Sequence, residues 1–346
     1  MKLLAAALAL PLLGLLPGAG RGAARKEACA PLRLSETGLY DRSGGIAPGL
    51  RAFAPQYPLW SDGALKSRWI LLPSGSRVDV RDGDAWDFPV GTKFWKEFRI
   101  GGRKAETRFL WRASATQWVY ASYAWRADQA DADLAPATGQ AGVADLGNGR
   151  SHDIPSVADC RACHENGGAP VLGFNALQLS DDRDPGAPHA EALQPGMLTL
   201  ASLDAQGLLN PPRPEWTARP PRIPAADPTT RAALGYLAAN CGNCHRARGA
   251  DTALHTVDLA FNHRLAAARL EDEPGWATTV IRPGKYAIPG DAASNLRVAP
   301  GAPERSTLVH RMASRRPSSQ MPPLGSVVAD EAGLALMRTW IGGMGR

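Results

Sequence analysis

Four stretches in the first half of the chain alternate apolar and polar residues with a period of two. They are Arg68 to Leu72, Lys93 to Ile100, Thr107 to Trp111 and Gln117 to Tyr123. Each is rich in aromatic or β-branched residues, and Gly or Pro separates them, which predicts antiparallel strands. The period changes in the second half. From Thr229 to Asn240 the apolar positions Ala233, Leu234, Leu237 and Ala238 fall on one helical face, and Asp330 precedes a second helical pattern carrying Leu334, Met337 and Ile341. Between the two halves runs a proline-rich stretch, Pro211 to Pro224, that reads as a semi-rigid linker. At the N-terminus Lys2 is followed by the apolar run Leu3 to Leu16 and then the small residues Pro17-Gly18-Ala19-Gly20. That run is shorter than the roughly 20 residues that span a bilayer. It predicts a cleavable export signal over residues 1–24, and no later stretch is long and apolar enough to span.

A chain of 346 residues has room for two or three domains. Its 44% hydrophobic and 21% charged residues are ordinary for a globular core, and 36 glycines with 29 prolines predict many turns. Seven of the ten tryptophans (Trp60, Trp69, Trp86, Trp95, Trp111, Trp118 and Trp125) lie in the β-rich region. They serve there as filling for its core, or else as a ligand-binding surface. The formal charge of +6 falls by two, to +4, when cleavage removes Lys2 and Arg21. With no run of Lys or Arg, nucleic-acid binding is not expected.

The cysteines carry the chemistry. Four of the five fall in two pentads, Cys160-Arg161-Ala162-Cys163-His164 and Cys241-Gly242-Asn243-Cys244-His245, 81 residues apart; Cys29 stands alone. This spacing suits covalent attachment of haem: two thiols add to the vinyl groups and the next residue places an imidazole on the iron. Zinc does not require a histidine directly after each pair, and a redox dithiol needs only one pair. Two c-type haems are therefore expected, bound by Cys160, Cys163, Cys241 and Cys244, with His164 and His245 as proximal ligands. Met321, in Met321-Pro322-Pro323-Leu324-Gly325 and 76 residues after His245, is the expected sixth ligand of the second haem. For the first haem the candidates are Met197, His152 and His189, or an open position.

These elements predict a multidomain protein: an N-terminal all-β sandwich-like domain (25–150) followed by two mainly α cytochrome c-type haem domains (151–225 and 226–346). Residues 226–346 resemble a class I cytochrome c. The mature chain as a whole resembles proteobacterial dihaem c-type cytochromes that place a β-rich region before two haem domains. The resemblance is carried by Tyr57-Pro58-Leu59-Trp60-Ser61-Asp62-Gly63, Phe88-Pro89-Val90-Gly91-Thr92, Ile154-Pro155-Ser156, Val171-Leu172-Gly173-Phe174 through Gln178-Leu179, and the Met321 loop. Ser180 departs from it, standing where Asn follows the Gln-Leu pair. The resemblance implies a periplasmic electron carrier serving redox protein partners such as a dehydrogenase, cytochrome or oxidase. The alternatives are a dihaem peroxidase with one open haem, and a haem-containing binding or sensor module that uses the Trp-rich region.

Overall fold

The structure, a computed structural model, describes residues 28–165, 169–246 and 258–345. The expected signal at 1–24 lies outside them. Ten strands and seven helices are present among the described residues: β1 (Arg51–Ala52), β2 (Leu65–Leu71), β3 (Val78–Asp79), β4 (Lys93–Ile100), β5 (Arg103–Arg112), β6 (Trp118–Trp125), β7 (Ala132–Leu134), β8 (Gln140–Gly147), β9 (Arg150–Ile154), α1 (Val157–His164), α2 (Leu200–Ala205), β10 (Leu209–Asn210), α3 (Pro214–Ala218), α4 (Pro228–Asn240), α5 (Pro274–Ala277), α6 (Thr307–Ala313) and α7 (Glu331–Gly343).

Six strands form one antiparallel sheet in the order β1-β2-β4-β5-β6-β7. Because side chains alternate across a strand, the sheet has two distinct faces. On one, Trp95, Phe109, Ala121 and Tyr123 pack with Leu34 and Leu39 from the chain that precedes the sheet. On the other, Ile70, Phe94, Leu110 and Tyr120 stand side by side across four strands and pack with Val171, Phe174, Leu179, Leu198 and Leu203. The tryptophans are structural filling: Trp95 and Trp86 are buried, and Trp69, Trp111, Trp118 and Trp125 pack against these two cores.

The expected sandwich followed by two mainly α domains does not hold. The sheet is covered by irregular chain and by two short two-stranded sheets, β3 with β10 and β8 with β9, and not by a second sheet of comparable size. The chain is β-rich, and three of its seven helices (α2, α3 and α5) are six residues or shorter. Residues 169–210 are stitched onto the sheet region through Leu198 N–H to the Ala52 carbonyl (2.8 Å), Val78 N–H to the Leu208 carbonyl (2.8 Å) and the parallel pairing of β10 with β3. The physical reason is composition. Gly and Pro recur too often in this segment for long helices, so its apolar residues find burial against the sheet rather than against one another.

A third core lies between α4 and α7, where Leu234 and Leu237 meet Leu334, Met337, Trp340 and Ile341. The second begins as the sequence predicts, and the first starts one residue before the predicted Thr229. Asp227 caps Thr230 N–H at 2.8 Å with Pro228 following it, and Asp330 caps Gly333 N–H at 3.0 Å. Tyr57 is buried against α4, and its hydroxyl donates to Asp184 at 2.8 Å.

Gly235 is what lets Tyr57 approach, since a Cβ there would stand 2.2 Å from the tyrosine ring. In an open helix Gly→Ala gains about 1 kcal/mol, whereas forcing atoms into a packed core costs about 1–3 kcal/mol. Gly235→Ala is therefore expected to lower stability by about 1 kcal/mol or more in urea unfolding. A rise in stability would mean that the Tyr57 ring is free to move aside.

Candidate functional site

The first pentad sits on α1. Ser156 and Asp159 form a reciprocal cap, with Asp159 N–H donating to the serine hydroxyl at 3.1 Å and Ser156 N–H to the carboxylate at 3.0 Å. This fixes the helix start so that Cys160, Cys163 and His164 fall at i, i+3 and i+4, on one side. His164 Nδ1 donates to the Pro170 carbonyl at 2.5 Å, which leaves Nε2 as the nitrogen with the lone pair. Burial pushes the imidazole pKa down to about 4, so the ring is neutral, as a metal ligand must be. Cys160 and His164 border a cavity of about 150 Å³ whose apolar wall includes Phe94, Leu110 and Val171. The Tyr120 ring lies 5.4 Å from His164.

The second pentad follows the end of α4. Cys244 N–H and His245 N–H both donate to the Cys241 carbonyl, at 3.1 and 2.9 Å, and so continue the helical turn by one step. Cys241, Cys244, His245 and Met321 all line a second cavity, of about 370 Å³. The Met321 backbone N–H is held by the Arg311 carbonyl at 3.0 Å, and the Phe261 ring stands edge-on to His245 at 5.9 Å. The second cavity has the size and apolar lining of a site for an organic ligand, whereas the first is smaller and is walled by both apolar and charged side chains.

The two turns face one another. The Cys163 and Cys244 thiols lie close enough to couple: their interaction raises the pKa of Cys163 and lowers that of Cys244. Ala238 and Asn243, from the second turn and its helix, also border the first cavity. Sites 81 residues apart in sequence are thus neighbours in space.

The residues present fit a haem at both cavities: paired thiols one helical turn apart, a histidine adjoining each pair, and apolar walls. Among the described residues no three His, Cys, Asp or Glu side chains converge as the ligand set of a bare metal ion. A haem needs no such set, because its own ring supplies four of the iron's ligands.

None of the candidates for the first haem's sixth ligand borders the first cavity. His152 is buried between Asp62 (3.1 Å) and Glu106 (3.6 Å), His189 donates to or accepts from Asp330 at 2.8 Å while lying against Trp60, and the Met197 sulfur accepts from Gln194 N–H at 3.4 Å. The cavity's polar wall holds instead residues that the sequence did not single out, Arg68, Lys96 and Arg108. The signal for them was present: all three interrupt strand patterns at positions of inward parity. Their convergence needed the strand register.

No family model matches this chain, and no curated protein or solved structure matches it.

His152 provides a pH test of the network beside the site. Burial works against its charged form, but the hydrogen bond with Asp62 and the nearby Glu106 carboxylate outweigh it and raise the pKa from 6.5 to about 9. A raised folded-state pKa stabilises fully below the unfolded value and loses its effect as pH climbs through the folded one. At about 1.4 kcal/mol per pH unit, about 3 kcal/mol should disappear between pH 6.5 and 9. Unfolding midpoints measured across this range should fall for the parent chain and flatten for His152→Gln.

Proposed function

We propose that this protein is an exported dihaem c-type cytochrome that carries electrons between a donor, such as a dehydrogenase, and a respiratory acceptor. The observation that supports the reading is that the two pentads lie near one another, each bordering a cavity, with Asn243 of the second turn lining the cavity of Cys160 and His164. A haem in each cavity would supply a one-electron couple. The chain's own residues do the rest. The four cysteines tether, His164 and His245 offer imidazole nitrogens, and Met321 offers a thioether across the second cavity from the same loop that Arg311 holds. The nearness of the two turns would bring two attached haems close together, which favours transfer between them.

One observation favours a second reading, an enzyme of the dihaem peroxidase kind. The first cavity is bordered by neither Met197 nor His152 nor His189, and an open iron position is where a small substrate binds. Peroxide turnover separates the two readings, since a carrier shows none above a monohaem control.

The test begins with the mass of the mature protein, expected to carry two covalent haems, one fewer when Cys160 and Cys163 are both replaced by alanine. Titrated with carbon monoxide, the reduced protein is expected to bind one equivalent, at the first haem. Met321→Ala should raise this to two. A parent chain without haem would end the proposal, and a variant that leaves the stoichiometry unchanged would remove Met321 from its role.

A further inference from the structure

The face of the sheet that looks into the first cavity carries an arrangement that hydrophobic burial does not explain. One rung below the apolar row of Ile70, Phe94, Leu110 and Tyr120, the register sets Arg68 opposite Lys96, Lys96 opposite Arg108 and Arg108 opposite Ser122. Three cations therefore stand side by side across β2, β4 and β5, and like charges directly opposite one another destabilise a sheet. Their compensation is partial. Arg68, only 6% exposed, is held by Glu191 at 2.8 Å, and Arg108 by Glu106 at 2.6 Å. Each guanidinium nevertheless keeps a buried Nη2 with no hydrogen-bond partner, and the buried Tyr120 hydroxyl, on the same wall, has none either. Lys96 lies over the Phe98 ring at 4.8 Å and has no carboxylate partner among the described residues; the same holds of Lys66, one rung further along the same face. Burial, with the neighbouring cations, pushes both amines down, Lys66 to about 8. Buried charges and buried donors persist in proteins when something pairs them. Here the unpaired donors share a wall of the cavity that Cys160 and His164 border, and two lysines lack a counter-charge.

We propose that the rung of Arg68, Lys96 and Arg108 is a carboxylate-binding site, and that its carboxylates are the two propionates of the haem attached at Cys160 and Cys163. The inference rests on the haem reading of the pentads. It assigns the first cavity an orientation: the propionate edge of the ring turns toward the sheet, and the vinyl edge toward α1. Lys96 is an uncompensated amine on the cavity wall, and guanidinium forks with free Nη2 groups suit carboxylate oxygens.

The test uses the mature holoprotein and Lys96→Gln, which removes the charge while leaving both arginine ion pairs in place. Mass must first show two haems in parent and variant; haem missing from the parent would sink the reading of the pentads, a failure separate from this one. With two haems present, Lys96→Gln is expected to lower one of the two midpoint potentials, because a lost positive charge disfavours the reduced, more negative centre. The centre affected should be the one that Met321→Ala leaves unmoved, and Lys96→Arg should restore it. Acetate added to the parent should change neither spectrum nor potential. A saturable acetate shift that Lys96→Gln removes would overturn the propionate assignment in favour of a free carboxylate. Unchanged potentials in Lys96→Gln, without any acetate effect, would overturn the site.

Discussion

The buried carboxylate of Asp62 ties the sheet to the chain that carries the second cavity. One of its oxygens pairs with His152 of β9 at 3.1 Å, and the other accepts the backbone N–H groups of Val327 and Val328 at 2.8 and 3.0 Å, just beyond the Met321 loop. His152 in turn reaches toward Glu106 on β5. Removing the carboxylate would strand an imidazolium and two amides in the interior, and breaking a buried pair of this kind costs about 3–5 kcal/mol. Trp60, two residues earlier, adds to the tie: its indole N–H donates to the Val328 carbonyl at 2.9 Å, and its backbone N–H to the Asn240 side chain at 2.7 Å, directly before Cys241. The segment from Tyr57 to Gly63 thus touches α4, the end of the Met321 loop and the sheet at once. The relative placement of the two pentads depends on it.

That placement explains why the first pentad lacks a helical domain of its own. A small haem unit needs apolar surface from somewhere. Val171, Phe174, Leu179, Leu198 and Leu203 supply part of it, and Phe94, Leu110 and Tyr120 of the sheet supply the rest. The sheet is a wall of the first cavity rather than a separate module joined by a linker. The second pentad follows a different plan, with α4 and α7 packed closely enough that a Cβ on Gly333 would stand 2.4 Å from the Tyr236 hydroxyl. Tyr236 uses that approach to donate to Asp330 at 3.0 Å, joining the cap of one helix to the face of the other.

Local signals in the sequence were reliable where local physics decides. The strand read at Lys93–Ile100 is β4 with the same bounds, and the helix read from Thr229 starts one residue earlier, at the Pro228 that Asp227 caps. The pentads and the Met321 loop stand out because their spacing and stiffness are written in adjacent residues, and Met321 borders the cavity of Cys241, Cys244 and His245. What was not legible depends on contacts between distant residues. The pairing of Leu209–Asn210 with Val78–Asp79 has no local pattern to announce it. The histidines considered for the first site looked available in sequence, yet carboxylates far along the chain hold both His152 and His189. Each residue of the cationic rung breaks a strand pattern at an inward-facing position, but that the three converge shows only once the register of three strands is known.

On the proposed reading, the two centres are tuned by opposite means. Across the second cavity Met321 is a neutral thioether, a ligand that raises a haem's potential by its chemistry. Around the first, the levers are charge and hydrogen bonding. The cations of the rung favour the reduced state, whereas the Pro170 carbonyl that accepts from His164 makes that imidazole a stronger donor to the iron and favours the oxidised state. Carboxylates docked on the rung cancel most of its field, because a buried pair acts at short range where water does not screen it. The hydrogen bond to His164 then remains the uncancelled influence at the first centre. The expected order places the second centre at the higher potential, so that electrons entering beside the sheet run downhill past Cys163 and Cys244 toward Met321.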